Sequence, residues 1–91
     1  MALIKQESQP IFDLSVIGRG CCIHLLRKGD VTPKNGIVTE AHKDKITVLY
    51  VNTQNSTCSY IDIGALEVSL GAWEIRWTCD FETIYKEGEG E

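Results

Sequence analysis

The chain has 91 residues, of which 43% are hydrophobic and 24% charged, and its formal net charge is -4. This length predicts one domain with a small core, and this composition is typical of a folded chain rather than a disordered one. Residues 1–61 carry seven basic and five acidic side chains, whereas residues 62–91 carry two and eight. We therefore do not expect a general binder of nucleic acids or of anionic membranes.

Hydropathy and cysteine spacing indicate the cellular compartment of the protein. No stretch approaches the roughly 20 apolar residues of a membrane-spanning helix, and the N-terminal residues lack the charged head and apolar run of a secretory signal. We expect no membrane contact and a cytoplasmic location. The cysteines have no CxxC spacing, so we expect reduced, partly buried thiols, with a disulfide framework as the alternative. They are Cys21, Cys22, Cys58 and Cys79.

Residues 1–10 are polar and predict a flexible arm, although Leu3 and Ile4 could dock on the domain. Residues 11–85 predict a single small β domain, opening at residues 11–16 with a strand or a single turn. The repetitive acidic residues 86–91 predict a disordered tail.

Alternating apolar and polar residues predict the next strands. Residues 21–27 form one strand, and residues 35–52 form a hairpin around a polar turn at 42–45. Asn35-Gly36 predicts a tight turn into this hairpin. A further strand follows at 57–63, then a single 3₁₀ turn at 62–66 and a short strand at 67–70.

Beyond Gly71 the alternation is strictest, and five apolar residues share one face. They are Trp73, Ile75, Trp77, Cys79 and Phe81. They predict a long strand over 73–81 with one buried face. It is longer than the strands of a small barrel, so part of the row should overhang and form an interface. The interface residues are Trp73, Ile75, Trp77 and Phe81.

The favoured occupant of this interface is the same strand of a second copy, antiparallel about a two-fold axis, which predicts a homodimer. The alternative is pairing within one chain, with residues 11–23.

The order of elements resembles a known group of folds. The residues that carry this resemblance are CCIHLLRKGD, NGIVTEAHKDKITVLYVN and YIDIGALEV. Their order of strand, long loop, hairpin, strand, single turn and short strand resembles the Src-homology-3-like barrels, especially the Tudor and KOW branches. The resemblance implies an all-β fold, a small Src-homology-3-like barrel, here with a long C-terminal strand extension. Small bacterial or phage proteins of unknown function often look like this.

Basic loops and tyrosines give a candidate surface for a ligand or nucleic acid. Small barrels bind single strands on aromatic platforms beside basic loops. The residues are Arg19, Arg27, Lys28, Lys43, Lys45, Tyr50 and Tyr60. Tyr50 and Tyr60 could instead join Trp73 and Trp77 in an aromatic cage for a cationic ligand.

Catalytic and metal-binding patterns are weak. Only Cys22 and His24 are close in sequence and on one face, whereas zinc needs four converging ligands. We expect no enzyme activity, no cofactor, no metal and no small-molecule substrate. The predicted function is a non-catalytic protein-interaction or assembly module. The alternative is a small-barrel protein that binds nucleic acid through the basic loops of residues 19–45.

Overall fold

Short antiparallel strands make up most of the chain. The structure is a computed structural model that describes residues 3–6, 8–52 and 54–86. One short helix, α1 (Ala65–Ser69), lies between the sixth and seventh strands. The strands of the described ranges are β1 (Ile4–Gln6), β2 (Pro10–Phe12), β3 (Cys22–Arg27), β4 (Lys34–Ala41), β5 (Lys45–Asn52), β6 (Thr57–Gly64), β7 (Trp73–Thr78) and β8 (Tyr85–Lys86).

The main element is a six-stranded sheet in the order β6-β5-β4-β3-β7-β8, and β1 and β2 form a separate hairpin. Strands β3 to β6 follow one another as a meander. Helix α1 then brings the chain back, so that β7 pairs with β3 on the far side from β4. All strand pairs are antiparallel. Eight strands and one short helix in the described residues confirm a mostly β fold. Among the described residues the two edge strands, β6 and β8, do not pair, so the sheet is not closed into a barrel there.

The core lies on one face of this sheet, which we call the inner face. Alternate residues of each strand point to it, as the period of two requires. The hairpin, the turn after it and α1 cover this face with Leu3, Phe12, Ile17, Ala65 and Val68, all at most 5% exposed. The buried residues of the sheet itself are Ile23, Leu25, Val38, Ile46, Val48, Ile63, Trp73, Ile75 and Trp77.

The N-terminal residues belong to the folded unit: residues 3–6 are not a flexible arm, and Leu3 and Ile4 dock on the domain, which the sequence analysis gave as the alternative. Leu3 is fully buried, and its carbonyl accepts a hydrogen bond of 2.8 Å from the N–H of Asp13. The N–H of Phe12 donates to the carbonyl of Lys43, also at 2.8 Å, which joins the hairpin to the β4–β5 turn. At the other end, Lys86 pairs in β8, and the remainder of the predicted tail lies outside the described residues.

Residues 65–69 form a helical turn where a 3₁₀ turn and a short strand were predicted. Ala65 and Val68 are three positions apart, so on a helix both face the core, and both are buried. The Glu67 carboxylate accepts from the Gly64 N–H and from the Trp73 indole N–H, each at 3.2 Å. It therefore ties the start of α1 to β7. No helix of the described ranges is both long and apolar enough to cross a membrane.

The predicted tight turn at Asn35-Gly36 is also wrong, because both residues lie inside β4. Asn35 pairs with His24, and Gly36 pairs with Ile23 and Tyr50. The chain turns earlier, where Gly29 has the positive φ of 92°. The strand at 21–27, the polar turn after β4 and the strand at 57–63 are confirmed within a residue or two.

Candidate interaction surface

The predicted aromatic interface is mostly core. Trp73, Ile75 and Trp77 are 6%, 1% and 1% exposed, because β7 pairs along its whole length with β3 and its inner face packs under the N-terminal residues. The prediction that this row overhangs the domain is therefore wrong for these three residues. Phe81 alone of the predicted set is on the surface, at 70% exposed. The partner strand within the chain is β3, slightly beyond the range of 11–23 that the sequence indicated.

Strand β7 ends at Thr78, three residues before the predicted end. The Asp80 carboxylate accepts from the backbone N–H groups of Glu82 and Thr83, both at 2.9 Å. These hydrogen bonds hold the pKa of Asp80 below its usual value. Phe81 has a φ of 63°, a left-handed conformation that no extended strand contains. The long C-terminal strand is thus replaced by a six-residue strand and a tight turn.

Cys21 and Cys79 form a disulfide, so the prediction of reduced thiols is wrong for this pair. The bond joins the residue before β3 to the residue after β7, where the two strands already lie side by side. Sequence spacing gave no sign of it, since 58 positions separate the two cysteines. Cys22, partly buried, and Cys58, exposed, are free.

The predicted basic surface is divided between the two ends of the sheet. Arg27 and Lys28 lie where β3 ends, beside the start of β7. Lys43 and Lys45 lie at the β4–β5 turn, at the opposite end, and Arg19 precedes β3 on that same side. The Arg27 guanidinium stacks on the Trp73 ring, 5.4 Å from its centroid. The ammonium of Lys45 lies 3.6 Å from the Asp62 carboxylate. These cations therefore do not form one continuous patch.

The four aromatic residues of the alternative cage do not converge. Tyr50 shares a cross-strand row with Gly36 and lies on the inner-face side, with the Lys34 ammonium 5.6 Å from its ring centroid. Tyr60 pairs with Leu49 and points to the opposite, outer face, where it is 67% exposed. Trp73 and Trp77 are buried. An aromatic cage needs rings around one point, and this arrangement does not provide it.

The outer face of the sheet carries a row of apolar side chains that the sequence analysis did not single out. Register places the members opposite one another on four neighbouring strands. Ile37 is 47% and Tyr60 67% exposed. We call this row the outer apolar band, and it consists of Cys22, Ile37, Leu49 and Tyr60. The signal for it was present, because β4 and β5 have apolar residues on both faces, at Ile37-Val38 and at Val48-Leu49.

Further apolar side chains extend the surface. Ile84, 72% exposed, borders a shallow groove with Cys22 and Ile37. Val51, 60% exposed, lies on the same face next to Cys58. The band therefore reaches from the turn after β7 to the edge strand β6.

Polar residues flank the outer apolar band on both sides, except at Val51 and Cys58, which lie on the same side of the band as His24 and Asn35. On one side Arg76 pairs with His24, whose Nδ1–H donates to Oδ1 of Asn35 at 2.7 Å. On the other side the Asp62 carboxylate accepts from the Thr47 hydroxyl at 2.7 Å. This hydrogen bond, and after it the ammonium of Lys45, hold the pKa of Asp62 below its usual value. The apolar strip is thus rimmed by paired polar groups.

Hydrogen-bonded carboxylates lie in the turns and strand pairs of the described residues. Hydrogen bonds lower the pKa values of Asp13, Asp62 and Asp80. Hydrogen bonds from Ser15 lower the pKa of Asp13 in the turn after β2. The neighbours that donate to these carboxylates lie in the same turn or across a strand pair. Within residues 3–6, 8–52 and 54–86, no three His, Cys, Asp or Glu side chains lie close enough to hold a metal ion.

Comparisons with known proteins place the chain in a family without adding an activity. No curated protein and no solved structure matches it. Residues 3–84 match a family described as a domain of unknown function, DUF5026. This range runs from the buried Leu3 to Ile84, and so takes in the hairpin, α1 and all but the last strand of the sheet. The chain therefore belongs to the DUF5026 family.

Proposed function

We propose that this domain is a non-catalytic protein-interaction module and that the outer apolar band is its binding surface. The observation that carries the proposal is the row itself: four apolar side chains in register on four neighbouring strands, rimmed by polar rows. Exposed apolar patches with polar rims mark interaction sites. An apolar centre with a polar rim is also the anatomy of protein interfaces.

The band is not required by the core. A sheet with one covered face needs apolar residues only at alternate positions. Strand β4 already supplies Val38 and β5 supplies Ile46 and Val48 to the inner face. Ile37 and Leu49 on the other face are additional, and burial against a partner would give them a role.

The order of elements supports a relation to the Src-homology-3-like barrels. A strand, a loop, a hairpin, a further strand, one helical turn and a returning strand follow each other from β3 to β7. The returning strand lies next to the first one. In this proposal the domain is an open form of such a barrel, in which the outer face of the sheet, and not a closed interior, meets the partner.

The partner is a protein whose own surface is apolar with a polar border, because the band offers few charges of its own. Nucleic acid is the weaker alternative, since the cations occupy opposite ends of the sheet. The expected cytoplasmic location stays a prediction. The Cys21–Cys79 disulfide argues against it, because such bonds persist mainly in oxidising compartments.

A pair of lysine substitutions tests the proposal. Ile37→Lys places a charge in the middle of the band, whereas Leu66→Lys places the same charge on the exposed side of α1, where Leu66 is 58% exposed. We expect proteins retained from a cell extract by the wild-type chain to be retained at least tenfold less by Ile37→Lys, as for a central interface residue. Leu66→Lys should retain them like the wild type.

Circular dichroism and urea unfolding of both variants check that the fold is kept. Equal retention by the Ile37→Lys and wild-type chains would contradict the assignment of the binding surface. A wild-type chain that retains no protein, and does not bind to itself, would contradict the proposed function.

A further inference from the structure

Strand β6 forms an open edge of the main sheet. Among the described residues it is the last strand on its side, and β5 is its partner on the other. It has eight residues and pairs with β5 without a register shift. Long, regular edge strands are templates for pairing with another chain, and natural proteins usually protect them with lysine, proline or a bulge.

The directions of the backbone groups of β6 follow from its neighbours. In an antiparallel pair the N–H and C=O of one residue point the same way, and successive residues alternate. The carbonyls of Lys45 and Thr47 accept from His42 N–H at 2.9 Å and from Thr39 Oγ1 at 3.3 Å, so both face β4. The intervening residues of β5 therefore face β6. Their partners there, Ser59, Ile61 and Ile63, direct their backbone groups back to β5.

This alternation leaves the backbone groups of Cys58, Tyr60 and Asp62 pointing outward. In the described part of the chain these groups have no backbone partner. The next residue whose backbone groups point outward is Gly64, and its N–H donates to Glu67 Oε2 at 3.2 Å. The open edge therefore has a defined length of three outward-facing residues.

Charge does not protect this edge. Asp62 is the one charged side chain of β6, and its carboxylate is hydrogen-bonded to Thr47 and ion-paired with Lys45. A carboxylate that is already paired repels an incoming strand less than a free one does.

We infer that β6 pairs with β6 of a second copy of this chain, antiparallel about a two-fold axis at Tyr60. The inference goes beyond the proposed function, because it places a second copy at the β6 edge and leaves the outer apolar band of each chain accessible to another partner. This register places Tyr60 opposite its own equivalent and Cys58 opposite Asp62 of the other copy. It is the symmetric register that engages all three outward residues of each chain, and it makes six backbone hydrogen bonds.

The same register also suits the side chains. The two Asp62 carboxylates lie four residues apart along the strands, about 14 Å, so like charges do not meet. The two Tyr60 rings meet on the outer face, where the outer apolar bands of both copies join into one strip. An edge strand that is complementary to itself in hydrogen bonds, charge and apolar surface favours a second copy over an unrelated peptide.

A proline at an outward position tests the inference without breaking the ladder to β5. The N–H of Cys58 points away from β5, and proline is tolerated in edge strands at such positions. Light scattering coupled to size exclusion, over a concentration series, should give twice the 10.2 kDa chain mass for the wild type at high concentration. Cys58→Pro should raise the dimer dissociation constant about tenfold or more. The matched variant Cys58→Val should stay dimeric.

Crosslinking gives a second measurement that does not depend on the proline variant folding. In a Cys58→Ser background, Tyr60→Cys places one thiol of each copy across the two-fold axis. It should form a disulfide-linked dimer under mild oxidation by oxygen, in which two thiols lose two electrons and two protons. Val51→Cys, on the same face but one strand away from the edge, should not.

Three outcomes would overturn the inference. A wild-type chain that is monomeric at every concentration rejects self-pairing, and the proposed function is then judged by the Ile37→Lys comparison alone. A dimer that is unaffected by Cys58→Pro rejects the β6 edge. Crosslinking through Val51→Cys but not through Tyr60→Cys also rejects the edge, but supports contact through the outer face.

Discussion

At the scale of single residues, Gly36 marks a close approach of β4 to the backbone of β5. A side chain at this position would overlap the carbonyl oxygen of Leu49, and its Cβ would lie 2.9 Å from the Leu49 carbonyl carbon. The sequence predicts a tight turn at this glycine. Its role is to let β4 lie close to β5 at a point where β4 also pairs with β3, which is a property of strand pairing and not of local chain direction.

We predict that Gly36→Ala destabilises the domain by about 1–3 kcal/mol, because the methyl group must displace backbone atoms rather than a flexible side chain. Gly18→Ala is the matched control, since a Cβ there meets nothing within 4 Å. It should change the free energy of unfolding by less than about 0.5 kcal/mol. Urea unfolding measures both. A Gly36→Ala chain as stable as the wild type would mean that β4 and β5 are further apart than described.

At the scale of elements, the Cys21–Cys79 bond fixes the neighbouring ends of β3 and β7. We predict two titratable thiols in the denatured chain without reductant, from Cys22 and Cys58, and four with it. Reduction should lower the free energy of unfolding by about 2–4 kcal/mol, because the bond closes a long loop in the unfolded chain. Cys58→Ser should leave that difference unchanged. Four thiols without reductant would show that the bond is absent in solution.

The sequence predicts a helix or strand correctly where the residues that determine it lie close together in the chain. The alternation at Ile46 and Val48 and the charged turn before them placed β5 correctly, because both signals lie within a few residues. The same alternation placed Trp73, Ile75 and Trp77 on one buried face. It could not show that β3 covers the edge of β7, since that pairing joins residues about 50 positions apart.

Three further elements were set by tertiary contacts. Residues 65–69 were predicted to form the end of a 3₁₀ turn and the start of a strand, but a helix lets both Ala65 and Val68 reach the core. Residues 3–6 begin a mostly polar stretch, yet buried Leu3 and the partly buried Ile4 hold them on the domain. The end of β7 was missed because the Asp80 turn and the disulfide act together on residues that continue the alternating pattern.

At the scale of the whole molecule, the sheet separates two kinds of surface. The inner face is closed by the hairpin, α1 and the turn between them. The outer face and the β6 edge stay accessible in the single chain. Strands β4 and β5 have apolar residues on both faces. The sequence alone could not show which face the rest of the chain would cover. Which face is covered depends on the hairpin and on the return of the chain through α1, and it leaves the outer face accessible.

The distribution of charge over the whole molecule predicts that it does not bind nucleic acid. The net charge is -4, and the basic side chains lie at opposite ends of the sheet, several of them engaged with Trp73, Tyr50 or Asp62. Binding to phosphates requires several cations that act on one backbone path. We therefore predict that labelled single- and double-stranded DNA show no saturable anisotropy change below about 10⁻⁴ M protein at moderate salt. The double variant Lys43→Glu/Lys45→Glu should behave like the wild type. Binding that weakens as salt rises and disappears in the double variant would contradict this prediction, and would make the β4–β5 turn a nucleic-acid surface.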